Sequence, residues 1–419
     1  MAKEMVPGLG IGHLLQRALP ASTKKQGNNQ STIRPIACWY LVNHTFPTDL
    51  PSILERVADI DVASYARTRN FKNGAVSRLS PYLSRGVIST RQVLDAVIES
   101  GADWSTAQKF IQELAWREFY QRLWQSLEED LFEDILQVRS GVSNRMMPRS
   151  IIQGSTGIEA IDEGIQELTR TGYMHNHLRM YVASLSCNLA KSHWPMPAAW
   201  MYYHLLDGDL ASNTCSWQWV AGTFNGRKYY CNQQNIDRYF QTDQPGSFLD
   251  TNYEQLPNMP IPESMRDLTT FQPTTTLPNT PLPSLDTTKP LYLYNGYNLD
   301  PLWDASIDAN RLLLLEPSHF QRFPVSEKVI DFILSLANNI EGLQVFVGEL
   351  NAIPDLRKFP QIHSKEHPAF RHYPGNKQER DWMFPGLTVN HTSFFRFWKQ
   401  AERKAKNGFA RKGLSVPVS

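Results

Sequence analysis

No apolar run reaches the roughly 18 residues that a membrane-spanning helix needs, so no such segment is expected in this 419-residue chain. The stretch MAKEMVPGLGIGHLLQRALPASTKKQ lacks an apolar core followed by a small-residue cleavage site, and reads as neither signal nor anchor. Cysteine is scarce. Cys38, Cys187, Cys215 and Cys231 form no C-x-x-C pair and no metal-ligand spacing, which excludes a disulfide framework and points to reduced thiols in a cytoplasmic protein. His175 and His177 are not i, i+4 partners and have no third ligand nearby in sequence, so no metal site is expected. The strand–GxGxxG–helix fingerprint is missing as well, so any nucleotide cofactor is held by another scheme. Net charge is only +1, which gives no support to a globally basic nucleic-acid binder.

Charge is nevertheless uneven. Arg67, Arg69, Lys72, Arg78, Arg85 and Arg91 follow one another with no acidic residue between them, and Arg396 to Lys412 carries seven basic residues against Glu402. Either cluster can meet phosphate, and either can be a solvated face.

The most informative stretch is Leu205–Trp219, LLDGDLASNTCSWQW. On a helix, Asp209, Asn213 and Trp217 share one face at successive i, i+4 steps. Such a face accepts a hydrogen bond, meets a heteroatom edge and stacks on a ring. A capping Asp followed by core tryptophans gives the same pattern.

Residues 1–45 read as an extension. A helical pattern starts near Asp49–Pro51 and runs through ILERVADIDVASYARTRN. In FKNGAVSRLSPYLSRGVIST, Pro81 suits an early helical turn, while Ser77, Arg78 and Ser80 suit either a phosphate cradle or plain capping. Ser105–Leu127 has the clearest helical period, through Phe110, Leu114, Phe119 and Leu123. Glu113, Trp116 and Arg117 lie on one side of it, as an intrahelical ion pair under an indole or as a pocket wall. Ile158–Thr169 is helical and ends at Gly172. Tyr173–Ala190 starts the next helix, with Asn176, Arg179 and Met180 on one face.

Residues 243–290 hold nine prolines and little periodicity, the composition of a linker or wrapping segment. PLYLYNGY, RLLLLEP and LQVFVGEL then suit buried parallel strands, with SEKVIDFILSLANNI as a crossover helix and TSFFRFWKQAERKAKN as a closing basic helix. The expected fold is mainly α: an extension (1–45), a helical domain (46–242), a Pro/Thr-rich linker (243–290) and a small Rossmann-like α/β domain (291–412).

Four blocks in order, AVSRLSPYLSRGVIS, QELAWREFY, GYMHNHLRM and DGDLASNTCSWQW, resemble the FAD-binding domain of the DNA photolyase/cryptochrome family. They span roughly residues 61–240, and jointly they are specific. The resemblance implies that Tyr65, Ser77, Arg78, Leu79 and Ser80 hold the FAD phosphates, and that Arg117, Asn176, Arg179, Asp207 and Asp209 surround the bent cofactor. It places Asn213 opposite the flavin N5, where a neutral amide is compatible with the reduced anionic flavin that repair needs. Plant-type cryptochromes have an Asp at that position. Glu113, Trp116, Asn176, Met180 and Trp219 match the pocket that takes a flipped-out cyclobutane pyrimidine dimer. Trp217 and Trp194 match the first two tryptophans of the electron-transfer chain, whose third member has no match here.

The implied activity is blue-light-driven, FAD-dependent repair of pyrimidine dimers in DNA by a carbon–carbon lyase. The alternatives are a cryptochrome-like photoreceptor without repair, or a flavin protein that uses the pocket for unrelated work. Asn176 between His175 and His177 departs from the His pair of the (6-4) class. Val76 replaces the usual hydroxyl of the TSRLS block. Family members carry an α/β domain before the flavin domain, whereas here the α/β segment comes last, so a rearranged or permuted order without an antenna site is expected. Damaged DNA is the implied partner, and the basic C-terminal helix offers a surface for a protein.

Overall fold

A computed structural model describes residues 46–136 and 141–413. The N-terminal extension and Cys38 lie outside the described residues. Asp49 caps α1 (Leu50–Ala58) by accepting from the Ser52 amide at 2.9 Å. The single helix expected onward from here is two. Asp61 accepts from the Ser64 amide at 2.9 Å and starts α2 (Val62–Thr68), so a second cap interrupts the pattern. Short α3 (Ser80–Ser84) has proline in its first turn, and α4 (Thr90–Glu99) begins with a Ser89–Gln92 capping box.

The longest helix, α5 (Trp104–Leu127), starts at the Asp103 cap. It buries Phe110, Ile111, Leu114 and Phe119, but also Glu118, Gln121 and Arg122, so it is surrounded on nearly all sides. Glu118 and Arg122 pair at 3.0 Å. Glu118 also accepts from the Met383 and Phe384 amides, and Arg122 donates to the Phe384 and Leu387 carbonyls. A buried pair persists only when its remaining hydrogen bonds are made, and here residues 383–387 make them.

After β1 (Met147–Pro148) come α6 (Arg149–Gln153) and α7 (Glu159–Thr171), the latter ended by Gly172 in the left-handed conformation. Then α8 (Asn176–Ser184) runs into a π-turn at Leu185–Leu189, followed by α9 (Pro195–His204), α10 (Leu210–Ala221) and α11 (Gln233–Phe240). The proline-rich segment wraps the helical body. It buries Leu249, Leu256 and Met265, and its strand β2 (Leu268–Thr269) pairs antiparallel with β1.

The α/β part holds β3 (Leu291–Tyr294), β4 (Asn310–Leu315), α12 (Pro317–Arg322), α13 (Glu327–Ala337), β5 (Leu343–Val347), β6 (Ile362–Lys365) and β7 (Asn376–Gln378). All five strands are parallel, in the order β5-β4-β3-β6-β7. Helix α13 crosses between β4 and β5. Tyr292 and Tyr294 share one hydrophobic core with Phe46, Tyr82 and Phe119, so the sheet is packed on the helical body. Arg85, 1% exposed, ties the two by donating to the Leu206 and Gly296 carbonyls. The closing helix α14 (Phe394–Gly413), grouped by sequence with the α/β segment, packs on α5 and buries Phe394, Phe397, Trp398 and Ala401 there. No described helix is long and apolar enough to cross a membrane.

Candidate functional site

Helix α10 packs against both α5 and α8, and the first block joins them where the Ser84 hydroxyl donates to the Asp207 carbonyl at 2.9 Å and Arg117 donates to the Leu83 carbonyl at 3.1 Å. Asp209 is the cap of α10 and accepts from the Ser212 amide at 2.7 Å. Arg117 reaches across from α5 to the same carboxylate at 2.9 Å, and Gln121 donates to it at 2.5 Å. Burial pushes Asp209 up, but Arg117 and the Ser212 amide outweigh it and hold the carboxyl below its ordinary range. Asp209 is thus a cap whose carboxylate also holds Arg117 and Gln121.

Asp207 pairs with Arg179 of α8 at 2.9 Å. The Arg179 Nε donates to the Met174 carbonyl at 2.9 Å, which fixes the guanidinium. Tyr173 lies under two cations, with Arg78 at 5.9 Å and Arg179 at 5.6 Å from its ring centre. The other oxygen of Asp207, Oδ1, is buried with no partner, and so is the Ser212 hydroxyl.

Glu113 bonds Lys109 at 2.7 Å and faces Arg69 at 3.6 Å. It does not pair with Arg117, as an intrahelical reading expects, because Asp209 takes that guanidinium. Trp116 is half-buried, and Phe394 of α14 stacks flat on it at 3.5 Å and 10°. Met180, Asn213 and Trp219 are also half-buried, and Asn176 is exposed at the start of α8. Asn213 donates from Nδ2 to the Ala198 carbonyl at 3.0 Å.

Tyr65 meets Phe110 edge-on at 5.0 Å. Ser77 and Ser80 are half-buried and Arg78 is exposed with φ of 53°, a left-handed residue just before α3. Leu79 is 1% exposed, so its side chain belongs to the core and only its backbone is available to a ligand. Trp217 and Trp194 are buried in one core, and Trp194 donates from Nε1 to Asp134 at 2.7 Å.

Sequence reasoning missed Gln121, Tyr173, Lys109, Arg69 and Phe394. Gln121 carried a signal, since Glu113, Arg117 and Gln121 follow each other at i, i+4 on α5. Phe394 lies on the aromatic face of the closing helix, but nothing local pairs it with Trp116.

The walls fit a flavin dinucleotide. The exposed Arg78 suits a phosphate, and the unpartnered Asp207 oxygen can accept from an N–H of the kind an isoalloxazine ring carries. The family model "FAD binding domain of DNA photolyase" matches residues 110–276. Over these residues the chain is similar to that photolyase domain. A deoxyribodipyrimidine photo-lyase of Vibrio cholerae is 33% identical over 205 residues, 46% of this chain and 42% of that protein. The Synechococcus photo-lyase is 33% identical over 180 residues, 41% of this chain and 37% of its own. A Synechocystis cryptochrome structure is 28% identical and covers 45% of this chain and 42% of that one, with a TM-score of 0.41. The chain therefore spans less than half the length of the photolyases it matches.

Proposed function

We propose that the chain binds FAD in this pocket and uses blue light to split cyclobutane pyrimidine dimers in DNA. The observation that supports the reading is a pair of buried carboxylates, Asp209 held by Arg117 and Asp207 held by Arg179, with one Asp207 oxygen left without a partner. FAD, when bound and reduced, supplies the light-driven electron.

The chain's own residues do the rest. Arg78, Ser77, Ser80 and the Leu79 backbone hold the phosphates, with Tyr65 beside them. Arg117, Arg179, Asp207 and Asp209 fix the ring system from opposite sides. Asn213, anchored through Nδ2 at Ala198, sets a neutral amide at the ring edge. Trp217 and Trp194 form the inner part of a route for electrons from solvent.

On the substrate side, Trp116 and Trp219 stack the extruded bases, typically ~1–3 kcal/mol per base. Phe394 already covers one face of Trp116, so the base takes the other. Glu113, held by Lys109, and Asn176 bond the carbonyl edges, and Met180 packs beside them. A damaged pair is cheaper to extrude than a normal one, which itself selects the lesion. Light-dependent repair by Glu113→Gln and Trp116→Ala variants tests the pocket. Both are expected to lose repair at least tenfold while retaining flavin, and repair untouched in both would refute the assignment.

A further inference from the structure

Helix α14 packs one face on α5 and turns the other to solvent. The packed face carries Phe394, Phe397, Trp398, Ala401 and Ala405, all buried. Gln108 of α5 donates to Glu402 at 2.9 Å, and the Lys406 ammonium lies 5.5 Å from the Trp104 ring centre, so the two helices stay together along their length. On the opposite side Arg396, Lys399 and Arg403 are all exposed. At 3.6 residues per turn they fall within one sector about 60° wide.

None of these three cations has a hydrogen-bond or ion-pair partner among the described residues. Their neighbours do: Lys404 donates to the Pro385 carbonyl at 2.7 Å, and Lys406 pairs with Glu402 at 3.1 Å. Glu402 is the one acidic residue of the helix, and Lys406 and Gln108 already take it up. The outer face is therefore a row of uncompensated positive charge. From Arg396 to Arg403 it runs about 10 Å, at ~1.5 Å per residue.

The surroundings of the row select its partner. An amphipathic helix meets a membrane through its apolar face, and here α5 occupies that face. A protein interface centres on a desolvated cluster of apolar and aromatic anchors. Phe395, 70% exposed, is the one exposed large apolar residue described on α14, and it stands at the end of the row. Duplex DNA carries a negative charge every ~1.7 Å along its axis, so a phosphate lies within reach of each cation and no apolar contact is needed. The helix also starts with Phe394 against Trp116, so a duplex whose extruded base reaches Trp116 has its flank beside α14. The matched domain, residues 110–276, does not include this helix. We propose that the outer face of α14 holds the phosphate backbone of duplex DNA beside the lesion pocket, through Arg396, Lys399 and Arg403. Its place beside the pocket rests on the dimer-repair reading; the row of charge does not.

Fluorescence anisotropy of a labelled, undamaged duplex, titrated with the full chain at several salt concentrations, tests this. Each phosphate contact contributes about 0.9 to the slope of log affinity against log salt. Joint Arg396→Gln, Lys399→Gln and Arg403→Gln replacement is expected to flatten that slope by about 2–3 and to weaken binding roughly tenfold or more near 0.1 M salt. Arg396→Lys with Arg403→Lys keeps the charges and is expected to stay within about twofold of the parent. Thermal unfolding checks the fold, and if the triple variant unfolds, each single Gln variant is expected to lose about 0.9 of slope. No duplex binding by the parent, or an unchanged slope in folded Gln variants, would overturn the proposal. Tighter binding of the parent to polyglutamate than to the duplex would overturn it too, and would give the face to an acidic protein. Photorepair on the same preparations separates the two readings. A flattened slope in a chain that repairs nothing supports the α14 contact and removes dimer repair, whereas an unchanged slope with repair intact removes only the α14 contact.

Discussion

The ring of Phe394 lies on the indole of Trp116, 3.5 Å centre to centre and 10° from parallel. The two residues are 278 positions apart in sequence, and the contact joins the closing helix to the middle of α5. Trp398 continues the stack behind Phe394 at 6.2 Å and 11°. Helix α14 thus covers one face of Trp116.

Removing this ring has a defined consequence. Phe394 is 2% exposed, and Phe394→Ala leaves a cavity costing about 3–5 kcal/mol. Urea unfolding is expected to show that loss. Phe394→Leu, which keeps most of the volume, is expected to retain the fold but to free the Trp116 indole, weakening dimer binding severalfold. Equal dimer affinity in the Leu variant would show that the stack positions nothing.

The Arg179–Asp207 pair is expected to govern cofactor retention. Asp207 has a side chain 3% exposed and Arg179 one 21% exposed, so screening weakens the pair only in part. Asp207→Asn leaves the guanidinium without its carboxylate and is expected to cost about 1–3 kcal/mol of stability. FAD affinity, followed by flavin fluorescence on dialysis, is expected to fall at least tenfold.

Asn213 separates holding the flavin from tuning it. Asn213→Asp keeps the size and the Oδ1 but brings a carboxylate to the ring edge. Flavin content is expected to stay near that of the parent, while repair per bound flavin falls tenfold or more. Absorption spectra under light, read beside repair rates, check this, and unchanged repair would remove Asn213 from the reacting centre.

Stability should fall in acid because several histidines are buried neutral. Burial lowers His175 and His204 to about 4 and His319 to about 3, and drives His367 well below the ordinary 6.5. The His175 Nδ1 accepts from the His177 amide at 3.2 Å, a bond only the unprotonated nitrogen can make. The folded values lie below the unfolded one, so the unfolded chain binds more protons between pH 6.5 and about 4. Stability is complete above pH 6.5 and is lost as pH falls through that window, by up to about 1.4 kcal/mol per unit for each histidine. Urea midpoints from pH 7 to 4.5 are expected to decline, and less steeply in His204→Gln.

Much of this was legible in the sequence because helical spacing reports local neighbours. The helix start at Asp49, the helix over Ser105–Leu127, the Gly172 stop and the parallel-strand runs all follow from short-range rules. The break at Asp59–Asp61 was hidden because its apolar period continues across the second cap. Arg117 was ambiguous because Glu113 and Asp209 compete for it, and only the packing of α10 on α5 decides. Phe394 on Trp116 and Arg85 beneath the sheet join distant segments, for which no local pattern exists. The sheet's five strands exceeded the three expected, because β6 and β7 are short and carry polar residues such as His363, Lys365 and Asn376.

The most direct measurement is photorepair. Protein with flavin bound and reduced is mixed with UV-irradiated oligothymidylate, and absorbance near the thymine maximum is followed in the dark and under blue light. Recovery of absorbance in the light alone is the expected result. No recovery, with flavin shown to be bound and reduced, would contradict dimer repair and leave a light-responsive flavoprotein without that activity.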